Sequence, residues 1–148
     1  MSCLICDKHE GKGAQPPGGY IYQDGNWMVG HYSPDASWPG QLVVESRRHF
    51  LDFAEMTPEE SASIGPLLSR LYSAVRRVTG AERVYALVLL EGVPHFHCHL
   101  IPRGSDSSTR GMTFLSQDWS CAESEAVEAA QRLREVLHHP LDPARTDS

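Results

Sequence analysis

The apolar positions of this chain change period along its length, and each period predicts a different element. Between residues 57 and 80 they fall at helical spacing: Ile64, Leu67, Leu68, Leu71, Tyr72, Val75 and Val78. Thr57-Pro58-Glu59-Glu60 supplies the start, with Thr57 as N-cap, Pro58 at the first helical position and Glu60 closing a capping box. Gly80 supplies the stop. Ser120-Cys121-Ala122-Glu123 reads as a second capping box, opening a helix with Val127, Ala130, Leu133 and Leu137 on one face. Residues 20–22 and 26–32 flank Asp24-Gly25, a hairpin signal. Residues 41–45 predict a short buried strand, and the β-branched, apolar stretch 83–90 predicts another, broken by Gly92 and Pro94. Residues 95–101 alternate and predict the next strand, ended by Pro102-Arg103-Gly104. Residues 10–19, 33–40 and 104–111 read as loops, and the tail beyond about 140 as a flexible end. The expectation is one α+β domain over residues 1–148: an antiparallel sheet of about five strands, one long helix and a C-terminal helix.

Length and charge narrow the function classes. A chain of 148 residues, 41% hydrophobic and 22% charged, can bury a core without disulfides. A net charge of −6 disfavours stable nucleic-acid binding and attachment to anionic membranes. The longest apolar run, residues 85–90, is too short to span a bilayer, and the N-terminus lacks the pattern of a secretory signal. A cytoplasmic location is expected. Only Lys8 and Lys12 among the 13 basic residues are lysines. The arginine bias suits bidentate phosphate contact, or else reflects coding composition. In a reducing compartment Cys3, Cys6, Cys98 and Cys121 stay unpaired, so Cys3-x-x-Cys6 serves a metal, redox chemistry or neither.

The concentrated chemistry lies in His95-Phe96-His97-Cys98-His99. Strand alternation puts the three imidazoles on one face, about 6–7 Å apart, with Phe96 and Cys98 on the other. Three rings in a row can share one small ligand, a phosphate or a metal ion. Scattered histidines with separate partners are the plainer alternative.

The run His95-Phe96-His97-Cys98-His99-Leu100-Ile101 resembles the signature of the histidine-triad superfamily, and Pro102-Arg103 follows as it commonly does there. Upstream, residues 39–49 resemble that superfamily's Pro-Gly-His to Arg-His segment, and residues 55–78 its following helix. The resemblance covers about residues 20–103 and implies a histidine-triad fold and a nucleotide substrate. His97 would attack the α-phosphorus to form a nucleotidyl-histidine, which water then hydrolyses. A main-chain carbonyl near the motif would fix the tautomer of His97. His99 would hold phosphate oxygens or the leaving group, and Arg103 would steady the developing charge; a solvated strand-end arginine is the plainer reading. The transferase branch typically carries Gln where His99 stands, so His99 points to the hydrolase branches.

The resemblance also implies a structural zinc held by Cys3, Cys6, His49 and His95, and a homodimer paired through sheet edges. His9 is an alternative ligand, expected to be exposed. Several positions depart from the superfamily pattern. The aspartate that holds ribose hydroxyls falls on Ser33, with Asp35 two residues away; Pro-Gly-His reads Pro39-Gly40-Gln41; no Asn occurs in residues 85–88; and the Gly-rich turn is shortened to residues 91–94. Asp35 and Gln41 are thus the candidate nucleoside contacts, with Trp27 and Trp38 as candidates to stack on a base or to lie in a core or an interface. A nucleotide-binding module without turnover is the second functional reading.

Overall fold

The computed structural model describes residues 2–138. Leu4–His9 forms α1, Tyr22–Gln23 β1, Trp27–His31 β2, Leu42–Ser46 β3, Pro58–Thr79 α2, Arg83–Leu87 β4, His97–Arg103 β5, Gly111–Leu115 α3 and Glu123–His138 α4. The five strands make one antiparallel sheet in the order β1-β2-β3-β5-β4. The α+β class and strand number match the expectation. The predicted tail beyond residue 140 lies outside the described residues.

Alternation assigns the two sheet faces. Trp27, Val29, Leu42, Val44, Val84, Cys98 and Leu100 join one core with Ile64, Leu67, Leu71 and Val75 of α2 and Leu133 of α4. The opposite face carries Met28, Val43, Glu45, His97, His99 and Ile101. The N-terminal segment crosses this second face: Pro16 lies so close to Gly30 that a Cβ would meet its ring at 2.8 Å.

Helix α2 begins and ends as its sequence indicates. Glu60 N–H donates to the Thr57 hydroxyl at 3.1 Å, and the Glu60 carboxylate accepts from Thr57 N–H at 2.8 Å. Gly80 closes the helix in the left-handed conformation. Helix α4 differs from its predicted start. It opens at Glu123, and Glu125 accepts from the Ala122 N–H at 3.0 Å, two residues beyond the expected capping box. The Cys121 N–H is instead held by the Pro34 carbonyl, at 2.9 Å.

Strand boundaries also move. β4 stops at Leu87, and Leu90 takes a left-handed φ of 60° that turns the chain away. β5 starts at His97 rather than His95, because the preceding amides are engaged elsewhere: His95 N–H on Val93 O at 2.9 Å, Phe96 N–H on Phe50 O at 2.7 Å. β5 runs on through Pro102 to Arg103. Its ladder to β3 ends at Leu100, so the missing amide of Pro102 forfeits no bond there. Helices α1 and α3 have no counterpart in the sequence reading; each is a turn or so long, too short for apolar periodicity.

Candidate active site and metal centre

β5 brings His97 and His99 to the face crossed by the N-terminal segment. The backbone that delivers them is locked by Phe96, which is fully buried, stacks on Phe50 at 5.2 Å and leans on Trp27 at 5.8 Å. A phenylalanine buried this way is worth about 3–5 kcal/mol against alanine. His97 is half-buried, and its Nδ1–H donates to the His95 carbonyl at 2.8 Å. That bond puts the proton on Nδ1 and leaves the Nε2 lone pair free. The His99 ring meets His97 edge-on at 5.1 Å and Tyr32 at 4.8 Å. His99 Nδ1 is the one buried side-chain nitrogen or oxygen without a hydrogen-bond partner among the described residues. Burial, reinforced by neighbouring His97, pushes the His99 pKa down to about 4.

His95 belongs to a different centre. It is wholly buried, and its Nε2–H donates to the Ser46 carbonyl at 2.6 Å, turning Nδ1 toward Cys3, Cys6 and His49. Burial holds its pKa below the ordinary value, favouring the neutral ring that ligates metals. Cys3 Sγ lies 3.4 Å and Cys6 Sγ 3.5 Å from His95 Nδ1; Cys6 Sγ lies 3.6 Å from His49 Nδ1; the two Nδ1 atoms are 3.1 Å apart. Four-coordinate zinc, with Zn–S about 2.3 Å and Zn–N about 2.0–2.1 Å, sets such S···N corners about 3.6 Å and N···N corners about 3.3 Å apart. The donor set therefore fits a tetrahedral ion, with Ser46 orienting one ligand from behind.

The local sequence explains this convergence. Cys3 caps α1, and the i, i+3 spacing turns Cys6 to the same side, with Cys6 N–H on Cys3 Sγ at 3.4 Å. His49 is placed by its neighbours. The Arg48 guanidinium donates to both oxygens of Glu60 at 2.8 and 3.2 Å, and Ser46 Oγ donates to the Arg48 carbonyl at 2.8 Å.

The remaining candidates separate. Asp35 and Ser33 line a cavity of about 650 Å³ together with Tyr32 and Lys8. Gln41 does not: it is buried, and its side chain accepts from the Trp38 N–H at 3.3 Å, closing the turn before β3. Arg103 is not brought to the triad. It lies six residues along β5 from His97, about 20 Å by strand rise. Its buried guanidinium is spent on the Tyr85 hydroxyl at 3.2 Å, the Gly104 carbonyl at 3.3 Å and Glu82 at 3.5 Å. Trp27 is a core residue with its indole N–H on Ser63 at 2.8 Å; Trp38 is partly exposed against Trp119. His9, expected to be exposed, is largely covered and meets Glu45 at 3.0 Å. Glu45 was missed as a site residue. The signal was a lone acid at the end of an otherwise apolar strand, which inside a protein requires counter-charges.

With sheet, helix placement and imidazole geometry together, comparison with solved structures is decisive for architecture. The chain superposes over 94% of its length on a zinc-bound histidine triad family protein from Mycobacterium smegmatis, covering 95% of that chain, at TM-score 0.72 and 23% identity. The fold is the histidine-triad fold. A hypothetical histidine triad nucleotide-binding protein from Sulfolobus tokodaii matches at TM-score 0.73 and 16% identity, with 93% of each chain covered. A HIT family protein from Bacillus anthracis matches at TM-score 0.61 and 17% identity, covering 95% of this chain and 98% of that one. By sequence, neither a protein-family model nor a curated protein matches. Among the described residues no helix is long and apolar enough to cross a membrane.

Proposed function

We propose that the protein is a nucleotide hydrolase that cleaves at the α-phosphate of a nucleoside phosphoanhydride or phosphoramidate through a covalent nucleotidyl-His97. The observation that carries this reading is the 2.8 Å bond from His97 Nδ1–H to the His95 carbonyl, which aims a free Nε2 lone pair away from the strand. In the first step Nε2 bonds to phosphorus while the P–O or P–N bond to the leaving group breaks. The leaving group departs with the electron pair and takes a proton from solvent. In the second step a water oxygen bonds to phosphorus, the P–Nε2 bond breaks, and the nucleoside monophosphate leaves as a proton passes to solvent. Nδ1 keeps its proton on the His95 carbonyl throughout. His99 holds phosphate oxygens or the leaving group, and Asp35 reaches ribose hydroxyls from the cavity wall.

Zinc is the ion proposed for Cys3, Cys6, His49 and His95. A closed Cys₂His₂ set is structural, and its contribution is to cross-link α1 to the sheet beside the nucleophile. The free cysteines accord with a reducing cytoplasm. A homodimer would use the edge of β4, unpaired among the described residues, where Leu89 beyond the strand is exposed.

The second reading, a nucleotide-binding module, draws on Ser33 standing where the ribose-holding aspartate is expected. A panel of nucleoside phosphoramidates and dinucleoside polyphosphates, incubated with zinc-loaded wild type and His97→Ala, separates the two. Monophosphate release by wild type alone supports the hydrolase. Tight binding across the panel without release by either protein supports the module and removes the hydrolase.

A further inference from the structure

Glu45 is 2% exposed and is the cross-strand Cα partner of His97 on β3. A buried carboxylate needs partners, and the N-terminal segment supplies them. Lys8 Nζ donates to one oxygen at 2.8 Å; His9 Nε2 lies 3.0 Å from the other, and the Tyr20 hydroxyl donates to it at 3.3 Å. Helix α1 is thus pinned at both ends, by Cys3 and Cys6 at the metal centre and by Lys8 and His9 at Glu45. An ammonium has three N–H donors, and Glu45 takes one from Lys8. Lys8 and Tyr32 line one cavity, and the Tyr32 ring packs on His99; His97 and His99 lie outside that lining, and Glu45 is what ties Lys8 to His97. Lys12 shares that wall but is engaged in an exposed pair with Glu10. Arg103 is buried in its own contacts at the far end of β5.

We infer that Lys8, fixed by Glu45, is the cation that meets the substrate phosphate beside His97, so that the N-terminal helix supplies the charge that the strand-end arginine does not. This rests on reading His97 and His99 as a phosphate site. Charge-assisted N–H···O bonds to phosphate are about twice as strong as neutral ones, and a lysine binds as a point charge that tolerates several phosphate orientations. His9 and Tyr20 continue to hold Glu45 when Lys8 is changed.

The test measures calorimetric binding of adenosine 5′-monophosphate and of adenosine to zinc-loaded His97→Ala, alone and combined with Lys8→Met or Lys8→Arg. Melting temperature and metal content are recorded for each protein. Lys8→Met is expected to weaken monophosphate binding about 10- to 100-fold, the loss of one charge-assisted bond. Adenosine binding should stay within twofold, and Lys8→Arg should recover most of the loss. Monophosphate affinity unmoved by Lys8→Met, equal losses for both probes, or no monophosphate binding by the parent each overturn the inference. The two proposals fail separately. Binding that needs Lys8 without turnover by wild type removes the hydrolase and keeps Lys8. Turnover through His97 with unmoved monophosphate binding does the reverse.

Discussion

His99 lies edge-on to Tyr32 and His97 with Nδ1 buried and unpartnered, and this placement makes the fold sensitive to acid. Burial first, then the charge of His97, lowers its pKa from 6.5 to about 4, against an opposing pull from Glu45. The unfolded chain accepts a proton near pH 6.5 that the folded chain refuses until about pH 4. The stability is therefore intact above pH 6.5, falls by about 1.4 kcal/mol per unit as the pH drops, and levels off below about pH 4. Between pH 7 and pH 5 this one group accounts for about 2 kcal/mol. Urea unfolding of wild type and His99→Gln at both pH values, in excess zinc, measures it. Excess zinc is needed because protonation of metal ligands adds its own acid dependence. Wild type should lose about 2 kcal/mol more than His99→Gln over this interval. Equal losses would refute the reasoning.

Three further outcomes are expected. Chelation, or Cys6→Ser, should reduce bound metal below one ion per chain by elemental analysis and open α1 to proteolysis; metal-free protein with an unchanged melting temperature would contradict the cross-link. Gly40→Ala should cost about 1–3 kcal/mol in chemical denaturation. Gly40 has φ +95° and its added Cβ would collide with the Thr79 side chain, while its N–H is held by His31 Nε2 at 2.8 Å. Arg103→Met should lower stability by about 1–3 kcal/mol by orphaning the partners of a buried guanidinium. Its KM for nucleotide should not change; a raised KM with stability intact would return Arg103 to the phosphate.

The long elements were legible because their signals are redundant. Helix α2 carries apolar period, capping box and glycine stop together, and all three agree with the structure. Strand β5 was legible by alternation, which places Cys98 and Leu100 in the core and His97 and His99 on the opposite face. Its start was not, because the amides of His95 and Phe96 are claimed by residues 93 and 50, a pairing no local pattern announces. Among the candidate ligands, the structure gathers Cys3, Cys6, His49 and His95 into one cluster. The contacts of Arg103 and Gln41 were illegible because proximity along the chain says nothing about which face and which end of a strand a long side chain serves. Glu45 marks the opposite failure. Its acid character was visible at once, but the partners that neutralise it come from 25 to 37 residues upstream.

The most direct test of the central claim is the intermediate itself. Zinc-loaded wild type, mixed with a nucleoside phosphoramidate and quenched at short times, should gain the mass of one nucleotidyl group. That group should be acid-labile and map to the peptide containing His97, and be missing from His97→Ala. Monophosphate released at full rate with no such adduct at any time, or released equally by His97→Ala, would contradict a covalent role for His97.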